Sequence, residues 1–190
     1  MPASLLLFLA LVAAPFSQAL LTLEVRAFSG VEDVTDKSRI IVHAAGRREQ
    51  AVGQIAGPAH TMKVAPGIYD AQAVHEQAGR VVSIRWAERL VVMPYPDEAG
   101  HHLEVINLQP GFGALQVRNA SGAAPEAKVA LFRAGERSRP AAAAVPPAGP
   151  YALFVVRAGI YDVQVTRGTR VAWHAGVDVP LDRTRLWIVP

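Results

Sequence analysis

Histidine is the side chain in this sequence best placed for chemistry, and five of the six lie in the first 109 residues, as His43, His60, His75, His101 and His102. The adjacent pair His101-His102 follows Asp97 and Glu98 closely. Imidazole and carboxylate together suit zinc or copper. Neighbouring residues on a strand point to opposite faces, so the two rings share an ion only where the chain leaves extended geometry. Pro94 to Gly100 (PYPDEAG) reads as such a loop. These histidines have no counterparts in the matching stretch downstream, which favours exposed loop histidines. No cofactor is assigned, and His101, His102, Asp97 and Glu98 stand as the metal candidates.

Hydrolysis finds no frame. There is no Gly-x-Ser-x-Gly elbow, His-Glu-x-x-His helix or phosphate-binding glycine loop, and no catalytic residue is assigned. Asp70 and Asp162 recur in register, each one residue after a tyrosine, and are expected on an outer face, where they support a hairpin or pair with a cross-strand Arg. Tyr69 and Tyr161 read as core anchors whose hydroxyls reach backbone partners. Trp86 and Trp173 offer either platforms for sugar rings or core packing. Their phase matches Ile84 and Val171, so burial is expected.

The elements that must position these residues are written twice. Leu23 to Gly30 (LEVRAFSG) returns as Leu115 to Gly122 (LQVRNASG), and Gly67-Ile68-Tyr69-Asp70 returns unchanged as Gly159-Ile160-Tyr161-Asp162, both at an offset of 92. Gly57-Pro58 and Gly149-Pro150 keep the same offset. Within each copy the alternation is that of strands: Leu21, Leu23, Val25 and Ala27 against Thr22, Glu24 and Arg26, then Leu115 and Val117 against Gln116 and Arg118. One face of each strand should meet a core and the other water.

Ile40 to Val42 and Val129 to Leu131 read as second strands, each followed by an Ala-Gly pair. Thr61 to Val64, a Pro66-Gly67 turn and Ile68 to Val74 read as a central hairpin, with a twin from Leu153 to Thr166. The turn glycine supplies either a positive φ or a close backbone approach. Pro140 to Pro150 (PAAAAVPPAGP) is too short between prolines to nucleate a helix and reads as a surface loop. The expected fold is all-β: two tandem antiparallel sandwiches of about seven strands, at 20–109 and 110–190, meeting at Gln109-Pro110-Gly111.

At the turn, Pro66-Gly67-Ile68-Tyr69 and Ala158-Gly159-Ile160-Tyr161 resemble the Pro-Gly-x-Tyr turn of carboxypeptidase regulatory-like or transthyretin-like sandwich domains. The resemblance spans roughly residues 21–108 and 114–190. It implies an immunoglobulin-like, non-catalytic accessory module of a secreted protein. The enzymatic branch, the hydroxyisourate hydrolases, ends in Tyr-Arg-Gly-Ser, whereas this chain ends Leu186-Trp187-Ile188-Val189-Pro190.

Export is expected on other grounds. Residues 5–14 (LLLFLALVAA) form an apolar run followed by Ser17-Gln18-Ala19, a site for cleavage after Ala19, so that 1–19 reads as a signal peptide. The run is short of the roughly 18 to 20 apolar residues that cross a bilayer, and no later stretch is a second span. Cysteine is absent, which excludes disulfides and thiolate sites. An exported chain without disulfides fits a bacterial envelope, periplasmic or secreted.

Charge divides unevenly. Residues 20–109 hold nine Lys and Arg against eleven Asp and Glu, a net of −2, whereas 110–190 hold ten against five, a net of +5. No aromatics interleave with the arginines, so nucleic acid is not expected. The expected role is non-catalytic binding or structural support, with an envelope protein or glycan as partner. The alternatives are a carbohydrate-binding module and, third, a metal-binding or hydrolytic protein.

Overall fold

The structure, a computed structural model, describes residues 19–55, 60–94, 100–119, 127–145 and 151–189. Residues 1–18 with their apolar run, Gly57-Pro58, Gly149-Pro150, Asp97 and Glu98 lie outside them. The chain is all-β. The first half runs β1 (Leu21–Ser29), β2 (Glu32–Asp33), β3 (Ser38–Ala44), β4 (Ala51–Ile55), β5 (Thr61–Val64), β6 (Gly67–Gln77), β7 (Arg80–Val92) and β8 (His101–Asn107). The second runs β9 (Phe112–Asn119), β10 (Lys128–Arg133), β11 (Ala152–Arg157), β12 (Gly159–Arg167), β13 (Arg170–Val179) and β14 (Thr184–Val189). The described helical structure is one 3-10 turn, Thr35–Lys37, and no helix among the described residues is long and apolar enough to cross a membrane. Among the described residues the halves hold eight and six strands where about seven each were expected.

The pairing pattern recurs. β1 takes β5 antiparallel and β8 parallel, as β9 takes β11 antiparallel and β14 parallel. β6 lies between β3 and β7, as β12 lies between β10 and β13. The expected central hairpins are therefore not hairpins. β5 and β6 belong to different sheets, and the Pro66-Gly67 corner carries the chain from one layer to the other. Gly67 eases a close approach there, since a Cβ would stand 3.3 Å from the Tyr69 ring and the ring would have to shift.

Leu23, Val25 and Ala27 of β1 pack with Ile40, Val42, Tyr69 and Ala71 to form the first core. Leu115, Val117 and Phe154 pack with Leu131, Tyr161 and Val163 to form the second. Each core fills the space between two sheets. A third apolar cluster joins Phe28, Leu103 and Val105 to Phe112, Tyr151, Leu153 and Val155. It lies between the β1 sheet and the β9 sheet, so the four sheets stack in the order β6, β1, β9, β12.

That stacking overturns the expectation of a wet face on β1 and β9. Glu24 is 2% exposed, Arg26 6%, Gln116 3% and Arg118 1%. The alternation was real, but both faces of these strands are covered.

Candidate functional site

The candidate site is the polar part of this seam, and His101 stands at its centre. β8 begins at His101 and lies beside β1, with His101 opposite Thr22 and Leu103 opposite Glu24. Nε2 of His101 is 2.9 Å from Oε2 of Glu24, and Nδ1 is 2.6 Å from Nη2 of Arg118. A guanidinium only donates, so Nδ1 accepts and the Nε2–H donates to the carboxylate. The Tyr151 hydroxyl donates to the other Glu24 oxygen at 2.5 Å, and its ring stacks on His101 at 6.0 Å. Burial pushes the Tyr151 phenol well above its ordinary range, and the hydrogen bond and charge of Glu24 add to the shift. The Gln116 amide oxygen, oriented by this network, accepts from Arg118 Nε at 3.0 Å. Arg26, in the same row, pairs with Asp33.

Beside this network Glu104 is enclosed. Its Oε1 accepts from the Thr184 N–H at 2.9 Å and the Thr184 hydroxyl at 3.1 Å, while that hydroxyl accepts the Val105 N–H at 2.7 Å. Burial pushes its carboxyl up to about 7, against the pull of Arg183 and of these hydrogen bonds. A cavity of about 150 Å³ opens here, lined by His101, His102, Glu104, Gln116 and Thr184. It is well below the roughly 300–1,000 Å³ of sites that enclose organic ligands.

The two described metal candidates, His101 and His102, point to opposite faces of β8. β8 is extended from its first residue, which removes the loop that would let His101 and His102 share an ion. His102 turns to the Met93 carbonyl, 2.6 Å from Nε2, and burial holds its imidazole below the usual range. Asp97 and Glu98 lie outside the described residues, among which no three His, Asp or Glu side chains converge on a point that would hold an ion.

The tryptophans are not core residues. Trp86 lies opposite Gln72 and Trp173 opposite Gln164, on the outer faces of their sheets, while Ile84 and Val171 are 51% and 53% exposed. Each indole carries a guanidinium at 4.5 Å from its centroid, Arg48 on Trp86 and Arg137 on Trp173. His43 packs on the first indole at 5.3 Å and Phe132 on the second at 4.9 Å.

Asp70 and Asp162, expected outside, are both 4% exposed. Asp70 accepts the N–H of Gly46 at 3.0 Å and of Arg89 at 2.8 Å; Asp162 accepts those of Gly135 and Gly176 at 3.3 and 3.4 Å. Each spans a β-bulge and the preceding turn. For Asp70, burial pushes the carboxyl up, but the two N–H donors and the charges of Arg48 and His43 outweigh it and hold it low. Arg137 stands 3.6 Å from Asp162. The sequence signal for this unit was present and missed: Ala45-Gly46-Arg47-Arg48 and Ala134-Gly135-Glu136-Arg137 share Ala-Gly-x-Arg. Tyr69 and Tyr161 are anchors as expected, donating to the carbonyls of Ala65 at 2.7 Å and Arg157 at 2.6 Å.

The sequence matches no family model and no curated protein. Among solved structures, the Bacillus anthracis TIE protein aligns over 90% of this chain at 13% identity with a TM-score of 0.33. This chain spans 33% of that protein's length. A candidate adhesin from Bacteroides ovatus aligns over 90% of both chains at 9% identity with a TM-score of 0.28.

Proposed function

We propose that this chain is an exported, non-catalytic protein of the bacterial envelope, periplasmic or secreted, built as two tandem immunoglobulin-like sandwiches at 20–109 and 110–190, and that it works by binding or by structural support. One observation carries this reading: the side chains that resemble catalytic equipment are engaged in holding the fold. His101 is held between Glu24 and Arg118, and Asp70 and Asp162 accept backbone N–H groups. A nucleophile or general base needs an approach to substrate, and these groups sit under a turn or at a seam whose cavity, about 150 Å³, is too small to enclose an organic ligand. The apolar run and the Ser17-Gln18-Ala19 site support cleavage after Ala19. The Pro66-Gly67-Ile68-Tyr69 corner, and Ala158-Gly159-Ile160-Tyr161 with Ala in place of Pro, support kinship with transthyretin-like accessory modules.

Fractionation with N-terminal sequencing tests it: the mature chain should start at Leu20 in the envelope fraction. A cytoplasmic chain beginning at Met1 would sink the export part, and turnover of an ester, peptide or glycoside substrate would sink the non-catalytic part.

The carbohydrate-binding alternative gains from the outward placement of Trp86 and Trp173. It loses more from Arg48 and Arg137, which occupy the indole faces a sugar ring would need.

A further inference from the structure

The two halves differ at one sheet edge. In the first half β4 pairs antiparallel with β3, and Ile55, opposite Ile40, is 4% exposed and closes the first core. Leu131 on β10 corresponds to Val42, and it bridges Ala142 as Val42 pairs with Gly53. From there the second half diverges. Val145 bridges Leu153 on β11 instead, so the chain crosses to the other sheet, and Ala144, which stands where Ile55 would, is exposed. Pro140, at the start of this segment, lacks the N–H group that a regular strand would use. Among the described residues, no strand pairs with the outer edge of β10 at Val129 and Ala130. Val129 stays half-exposed, although its counterpart Ile40 is 1% exposed. A groove of about 620 Å³ runs between Val129-Ala130 and Ala142-Val145. Its rim carries the exposed Lys128, with the exposed Arg139 beside Pro140, and no carboxylate lines it among the described residues.

We propose that this groove receives an extended, acidic segment of a partner protein, which adds antiparallel to β10 and inserts one large aliphatic side chain against Val129, as Ile55 does against Ile40. Main-chain pairing at an open edge with one buried side chain is a recurrent mode of peptide capture. Charge complementarity chooses the occupant: in the β4 register the residue after the inserted aliphatic falls opposite Lys128, within a half that carries +5. The inference rests on the binding-module reading and names the chemistry of its partner.

The test uses the mature chain and a synthetic peptide with the sequence of Gln54–Ile55 followed by two aspartates, which in the β4 register stops short of the edge that Ala142 holds at Leu131. Binding should slow amide exchange at Val129 and Ala130, and replacing the isoleucine of the peptide by Asp should abolish it. Lys128→Glu should weaken binding by about tenfold, and a peptide ending in lysines should recover it. Ala144→Ile should close the groove from within, raising the melting temperature while removing peptide binding.

Unchanged exchange at β10 up to about millimolar peptide, or equal binding of the Asp control, overturns the proposal. Self-association without peptide that Ala144→Ile abolishes overturns it too, by placing a second copy in the groove. An exported, inert chain that ignores the peptide loses only this proposal. Turnover or a cytoplasmic location removes the module reading and leaves the peptide result standing.

Discussion

Glu104 is the residue through which pH should act on this fold. Its carboxyl ionises near 4.5 when unfolded and near 7 when folded, so the folded state holds the extra proton between those values. Stability therefore falls as pH rises through that window, by roughly 3 kcal/mol at most. Glu104→Gln keeps the acceptor for Thr184 and should flatten the dependence, read as equal urea midpoints at about pH 5 and pH 8 after correction for other groups. Asp33 and Asp70 act in the opposite sense: their folded values are depressed, so their contribution is lost as pH falls below the ordinary 3.8. Arg118 offers a second test. It is 1% exposed and shares His101 and Gln116 as partners, so Arg118→Ala strands buried polar groups and should cost about 3–5 kcal/mol in denaturant unfolding.

The strands were legible from period-2 alternation, the copies from their common offset, and the tyrosine anchors from their place after the turn glycine. What escaped was which polar face stays wet. Glu24, Arg26, Gln116 and Arg118 alternate as a solvated face would, and only the stacking of one sheet on another, a long-range event, buries them. The tryptophans escaped for a local reason. Their phase was read from Ile84 and Val171, which are apolar yet 51% and 53% exposed, and bulges at Tyr69/Ala71 and Tyr161/Val163 break the alternation between these residues and the inward Val92 and Val179. Since each indole lies on an outer face under one guanidinium, Trp86→Ala and Trp173→Ala should each cost about 1–2 kcal/mol, less than Leu115→Ala in the core at about 2–5 kcal/mol. Equal losses in thermal melts would return the indoles to the core.

At the scale of the molecule the seam packs an apolar cluster of one half against the other. Separating them would expose Phe28, Tyr151 and Leu153 together with the paired charges beside them. Calorimetry should therefore give one unfolding transition for the full chain, and Tyr151→Phe, which unties Glu24 from the second half, should broaden or split it. Two transitions in the parent chain would show that the halves unfold independently.

The parallel pairing of β1 with β8 has a kinetic side. Thr22 meets His101 and Phe28 meets Asn107, so β1 waits for a partner almost eighty positions later, and Thr184 closes onto Ala114 across seventy. Neither sheet can be completed while its last strand is still being delivered. Such high contact order puts folding in the millisecond-to-second range and leaves the edges of β1 and β9 bare in the interval. A chain delivered strand by strand through a pore would thus stay threadable until its last strand of each copy emerged, and stopped-flow refolding should show the β1 amides on the β8 side, Thr22 among them, gaining protection only together with β8.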